Sequence, residues 1–251
     1  MSNYPKTNYG HCLRSHLVMI IFAAALAFGF FLLTNSLQAA EAKDAGHGAA
    51  SHAGPTNPNS IDSALKALKE GNARFAAGQA TYPRRDKEVL AKLAKEGQTP
   101  LAAILTCSDS RVKEDNIFDQ GIGDIFVIKV VGAIPGVNEV GSLEYAVAHL
   151  GVPVVVVLAH TQCGAVTAAV TGAKEPGALG EALTNLNPVV KAVEGLEQSA
   201  RLDAAIKLSA SMFREKLQMV SPVIAKAVKE GRLKVVSGVF DLATGVVTFN
   251  E

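Results

Sequence analysis

Five residues in two short stretches have the types and spacing to do chemistry: Cys107, Asp109 and Arg111 in "CSDSR", and His160 and Cys163 in "HTQC". Two thiolates and an imidazole form a donor set that zinc accepts in tetrahedral geometry, and three protein ligands leave a fourth position open. The spacing from His160 to Cys163 lets one tight turn aim both side chains at a common point. If "CSDSR" stays extended, Cys107, Asp109 and Arg111 point to one side, so the Asp109 carboxylate can reach either the metal or the guanidinium. Other arrangements stay open at this stage: a Cys107 to Cys163 disulfide, His160 as a core histidine, and a surface Asp109 to Arg111 ion pair, which would add little stability. A disulfide has no use for Asp109 and Arg111 at the same edge, whereas a metal site does.

The surrounding pattern supplies the elements that must hold these residues. Three short apolar runs, "PLAAILTC" (100–107), "DIFVIKVVG" (124–132) and "VPVVVVLAH" (152–160), read as strands buried on both faces, as in a parallel sheet. Between the last two, "NEVGSLEYAVAHLG" carries Val140, Leu143, Val147 and Leu150 at helical spacing, which predicts a βαβ crossover. Open sheets of this kind place reactive groups beyond the carboxyl ends of their strands, so Cys107 and His160 are expected on one edge. Two helices precede the first strand, in "IDSALKALKEGNARFAAG" and "RRDKEVLAKLAKEG", and are expected to wrap the outside or pack on a partner subunit. Further helices are expected at 165–171, in "LDAAIKLSASMFREKLQMV" and after Pro222, with a loop or broken helix in "GAKEPGALGEAL". The ending "LKVVSGVFDLATGVVTFNE" reads as a β-hairpin. The predicted class is α/β, a mostly parallel central sheet flanked by helices, with an N-terminal helical arm and a C-terminal hairpin.

Residues 1–40 differ from the rest. A basic start with Lys6 and Arg14 and no acid precedes an apolar run of 17 residues, the layout of a signal peptide cleaved near Ala39 or Ala40, or of a retained N-terminal anchor. Either way the bulk of the chain is expected to be periplasmic or secreted. Residues 41–59 read as a flexible linker and 60–251 as one domain. Cys12 would leave with the signal, so Cys107 and Cys163 are the two cysteines kept. A net charge of +1, with no basic stripe interleaved with aromatics, argues against nucleic acid as a partner. No membrane contact is expected of the domain unless the N-terminal segment is retained.

"CSDSRV" followed by "EYAVAHLGVPVVVVLAHTQCGAV" resembles the β-class carbonic anhydrases, and the likeness runs from about Ser60 to Glu251, including "GNARFAAG", "GDIFVIKVVG" and "LKVVSGVFDLATG". The resemblance implies one Zn2+ per subunit on Cys107, His160 and Cys163, and a catalytic dyad of Asp109 and Arg111. It implies carbonate dehydratase activity, in which zinc-bound hydroxide attacks CO2 to give bicarbonate and a proton. Asp109 either ligates the metal and closes the site, or pairs with Arg111 and leaves room for water. Tyr145 and Gly164 are candidates for the substrate pocket. A homodimer or homotetramer is implied, with the cleft near the subunit interface. Where some members build a non-catalytic bicarbonate pocket from Trp, Arg and Tyr, this chain has Ile104, Lys129 and Tyr145, so that pocket is expected to be absent. The alternatives are a zinc hydrolase of the same scaffold acting on CS2 or COS, and a non-catalytic zinc- or bicarbonate-binding module.

Overall fold

A computed structural model describes residues 59–251; the expected signal or anchor and nearly all of the expected linker lie outside them. Among the described residues no helix is long and apolar enough to cross a membrane.

The first helix, α1 (Ile61–Ala76), starts where Ser60 and Ser63 cap each other, each side chain bonding the other's backbone N–H. It was expected to wrap the outside or pack on a partner subunit; it covers its own sheet, with Ala64, Leu65 and Leu68 buried in a core with Ile104, Val156 and Leu158. Its apolar stripe is satisfied by its own sheet. The second helix, α2 (Lys87–Glu96), runs from the cap Asp86 to Gly97 and buries none of its residues.

Five strands form one sheet: β1 (Ala102–Cys107), β2 (Ile125–Val130), β3 (Val154–His160), β4 (Lys234–Phe240) and β5 (Val247–Asn250), in the order β2-β1-β3-β4-β5. The first four are parallel, and β5 pairs antiparallel with β4 as the expected hairpin. Strands β1 and β3 are buried throughout, because both faces are covered. Strand β2 departs from the expectation of burial on both faces: it is the sheet's edge, and Phe126, Val127, Lys129 and Val130 are only partly buried or exposed.

One face of the sheet packs on α1 and the short α3 (Glu114–Ile117). The other is covered by α4 (Val137–His149), α5 (Gly164–Val170), α6 (Gly177–Leu183), α7 (Asn187–Val193), α8 (Gln198–Val220) and α9 (Pro222–Lys229). The chain passes from β1 to β2 on one flank, then crosses through α4 to β3 on the other flank of β1. The strand order therefore reverses between β1 and β3, and the crevice outside their carboxyl ends is the switch point where open α/β sheets bind ligands. Cys107 is the last residue of β1 and His160 the last of β3.

A motif within α1 fastens this helix beside that crevice. A Cβ on Gly71 would lie 1.8 Å from the Phe118 carbonyl oxygen, so only glycine permits the approach. Asn72 is buried; its amide donates to the carbonyls of Ile117 (3.1 Å) and Gly245 (2.8 Å), and its oxygen accepts from Val247 N–H (2.8 Å). Arg74 Nε donates to buried Asp119, which also accepts from the Thr81 and Tyr82 amides. One helix thereby ties the segment after "CSDSR" to the terminal hairpin.

Candidate metal centre

The ligating atoms of Cys107, His160 and Cys163 all lie within 4.8 Å of one another, and all three residues are buried. The cysteines are free thiols with Sγ atoms 4.0 Å apart, so the disulfide alternative is not what the fold builds. A tetrahedral zinc with Zn–S bonds of about 2.3 Å holds two sulfurs about 3.8 Å apart, so the donor spacing fits that ion.

The imidazole is oriented by main chain. His160 Nδ1 lies 2.9 Å from the Thr161 carbonyl oxygen, which can only accept, so Nδ1 carries the hydrogen and Nε2 keeps its lone pair. Among the described residues the buried Nε2 has no hydrogen-bond partner, an arrangement that costs about 1–3 kcal/mol unless a ligand such as a metal engages it. Thr161 is itself pinned: its N–H donates to the Phe240 carbonyl (2.9 Å), and its hydroxyl accepts from Leu242 N–H (3.0 Å). Gln162 then turns through positive φ (55°), which delivers Cys163 at the start of α5.

Contact with the Cys163 thiol lowers Cys107 most, against burial; His160 and the backbone amides of Asp109 and Gly132 help bring it to about 4. The same contact, with burial, pushes Cys163 up. The Gly132 N–H that donates to Cys107 Sγ (3.4 Å) belongs to a short 3-10 turn, Val131–Ala133, directly after β2. Gly132 has φ 64°, and a Cβ there would crowd the Ala165 methyl at 3.1 Å. Neither Gly132 nor Thr161 stands out in the sequence; a glycine straight after a strand was the available signal for the first, and nothing local marked the second.

The structure brings Asp109 and Arg111 together by a route other than the expected one. β1 ends at Cys107, and the chain turns, with Val112 N–H on the Asp109 carbonyl (3.1 Å). Asp109 Oδ1 accepts from the Arg111 backbone N–H and from Nε, both at 2.9 Å, and Oδ2 accepts from Nη2 at 2.7 Å. An extended segment would expose a row of unpaired backbone groups; the turn satisfies them and folds the guanidinium back onto its acid. The Arg111 hydrogen bonds hold Asp109 well below the usual carboxylate range, and Asp109 Oδ2 stands 3.8 Å from His160 Nε2. Lys129 braces the turn from β2, donating to the Val112 carbonyl (2.7 Å) and to buried Glu114 (2.6 Å).

Of the two candidate pocket residues, Gly164 directly follows Cys163, with open space where a Cβ would be. Tyr145 is half exposed on α4, stacked on His149 (5.1 Å between centroids) and tilted against Phe126 (6.2 Å). Among the described residues, no hydrogen bond or ring contact joins it to the three candidate ligands of the same chain.

A family model described as carbonic anhydrase matches residues 102–247, more than half of the chain. A carbonic anhydrase of Mycolicibacterium smegmatis is 37% identical over 198 residues, 76% of this chain and 93% of that protein. Carbonic anhydrase 2 of Mycobacterium tuberculosis is 51% identical over 114 residues, 45% of this chain and 53% of the relative. Among solved structures, a tetrameric β-carbonic anhydrase from Sordaria macrospora superposes with a TM-score of 0.60 at 28% identity, covering 75% of this chain and 96% of the other.

Proposed function

Because this chain belongs to the β-class carbonic anhydrases, we propose that it catalyses the reversible hydration of CO2 to bicarbonate and a proton. The observation that carries the proposal is the unpaired, buried His160 Nε2, converging with two free thiols beside a carboxylate that an arginine holds in place. Cys107, His160 and Cys163 would hold one Zn2+. Bound there, zinc would lower the pKa of a water and so supply hydroxide near neutral pH, less strongly with two anionic thiolates than with neutral ligands.

The remaining work falls to this chain's own residues. Asp109, 3.8 Å from Nε2, is placed to accept a hydrogen bond from the attacking oxygen and to fix its direction. Arg111 occupies both carboxylate oxygens, which favours the arrangement with the fourth position free for water. The same ion pair makes Asp109 too weak a base to store the product proton, so that proton leaves for solvent or buffer. Lys129 is committed to Glu114 and the Val112 carbonyl, which supports the absence of a bicarbonate pocket built on that position.

Two copies would pair through the flank that carries β2 and α4. Among the described residues β2 has no strand on its outer edge and half-buried apolar residues, and Val137 (85% exposed) and Tyr145 (49%) stand beside it on α4. Tyr145 would then line the partner's cleft rather than its own. The signal-like residues 1–40 support export.

The test is stopped-flow CO2 hydration against pH on zinc-quantified protein, with CS2 and COS assayed in parallel. Hydration rising towards alkaline pH is expected, and Arg111→Ala should keep zinc while losing at least about tenfold in rate, the scale of one lost charge-assisted hydrogen bond. Zinc-loaded but inactive protein, or full activity in Arg111→Ala, would sink this mechanism.

A further inference from the structure

A cavity of about 620 Å3 opens between α8 and the hairpin of β4 and β5, on the face of the sheet opposite α1. Side chains alternate along β4. Val235 and Val239 pack in the core beneath α8, which puts Ser237 on the same face, whereas Val236 and Phe240 face α1. Across the hairpin, Asn250 pairs with Ser237 and Thr248 with Val239, and both β5 residues are exposed where the sheet runs out past the helix. On α8, Asp203, Lys207 and Ser211 recur at every fourth position, so they line one edge of the helix above the groove. Buried Ile206 and Ala210 supply an apolar wall beside them.

Three observations say what the groove accepts. Ser237 is 1% exposed, and its one hydrogen bond among the described residues, to the Asn250 carbonyl, is 3.5 Å long. That lies outside the ordinary O–H···O range of about 2.5–3.0 Å, so a hydroxyl this deeply buried is better satisfied by a polar occupant. Asp203 and Lys207 stand one helical turn apart yet form no ion pair, and among the described residues neither has a hydrogen-bond partner. At the same spacing, Lys66 and Glu70, Lys92 and Glu96, and Lys226 and Glu230 do pair, at 3.8 or 3.9 Å. Finally, Asp203 and Asp241 both line the groove and repel an anion, while Lys207 repels a cation.

A neutral ligand whose groups both donate and accept meets all three conditions. A hydroxyl does both: one can donate to the Asp203 carboxylate, its neighbour can accept from the Lys207 ammonium, and a third can complete the bonding of Ser237. The C–H face of such a ring lies against Ile206, Ala210 and Val239, where its burial is favourable. We propose that this groove is a binding site for a neutral sugar of one or two rings, a size that its volume suits. Thr161 lines its inner end, but binding there draws on none of the three candidate metal ligands and does not depend on the activity proposed above.

Saturation-transfer NMR on the zinc-loaded protein, with D-glucose and maltose as probes, followed by calorimetric titration of the sugar giving the stronger signal, tests the site. Transfer to the ring C–H protons is expected. Asp203→Ala, on an exposed helix edge, and Ser237→Val, which keeps a strand-forming residue, should each weaken binding about tenfold or more. Both variants should retain the wild-type rate of CO2 hydration, since neither residue touches the metal centre. Absence of transfer to both sugars, or equal affinity in wild type and both variants, would overturn the site. Displacement of the sugar by equimolar glycine would show that the groove reads paired charges rather than hydroxyls, and would overturn the ligand class.

Discussion

Each of the three candidate ligands is prepared by a neighbour that supplies only main-chain groups or a sulfur. Cys107 takes a hydrogen bond from the Gly132 amide, His160 gives one to the Thr161 carbonyl, and the Cys163 Sγ stands 4.0 Å from the Cys107 Sγ. Such a centre gains stability when filled: free zinc a thousandfold above its Kd should stabilise the fold by about 4 kcal/mol. The expected result is a Tm about 10 °C higher with zinc than after dialysis against a chelator, and Cys163→Ser should erase most of that difference in a thermal scan. The identities of Cys107, Asp109, Arg111, His160 and Cys163 were legible because few side chains offer this chemistry and their spacing survives in one dimension. The geometry of "CSDSR" was not. Alternation holds only while a strand continues, and β1 stops at Cys107, where the sheet's hydrogen bonding to β3 has already ended.

At the scale of elements, strands β1 and β3 could be read directly, since a strand covered on both faces is apolar at every position. Strand β2 has a similar composition but sits at an edge, and position in the sheet depends on which strands pair, a non-local outcome. The same reason hid α1: its stripe of Leu65 and Leu68 says that one face is buried, not against what. The polar lock between α1 and the segment after "CSDSR" offers a pH test. Burial alone would raise Asp119, but the bonds from Arg74, Thr81 and Tyr82 outweigh it and bring it to about 2 from an ordinary 3.8. With the folded value depressed, the stabilisation is complete above about pH 4 and fades as pH falls towards 2. Asp119→Asn should therefore cost about 1–3 kcal/mol at pH 7, and the gap to wild type in urea midpoints should narrow below pH 4. A gap of constant size down to pH 2.5 would show that the charge on Asp119 is not what locks α1.

For the whole molecule, one sheet carries two unequal flanks. The β5 flank is bounded by a short strand, whereas the β2 flank exposes apolar side chains next to a free edge. Light scattering should find Tyr145→Glu shifted towards monomer relative to wild type, with zinc content retained and hydration reduced, since the cleft of each copy would lose the partner's ring. An unchanged dimer or tetramer with Tyr145→Glu would move the interface to another surface. The sequence marks the other flank by its hairpin but does not mark β2 as an edge, because its run resembles those of β1 and β3; among the described residues the crossover through α4 leaves β2 with one neighbour instead of two.

The hydrogen bond from His160 to the Thr161 carbonyl has a consequence for how the protein can change. Carbonyl oxygens belong to every residue, so no side-chain replacement at position 161 deletes the acceptor, although losing the hydroxyl there would release the Leu242 amide. The choice of Nε2 as the donor atom is therefore written into the path of the chain. Drift in the surrounding sequence can tune the strength of the centre, but it cannot by single substitutions at this neighbour rewrite which nitrogen faces the two thiols.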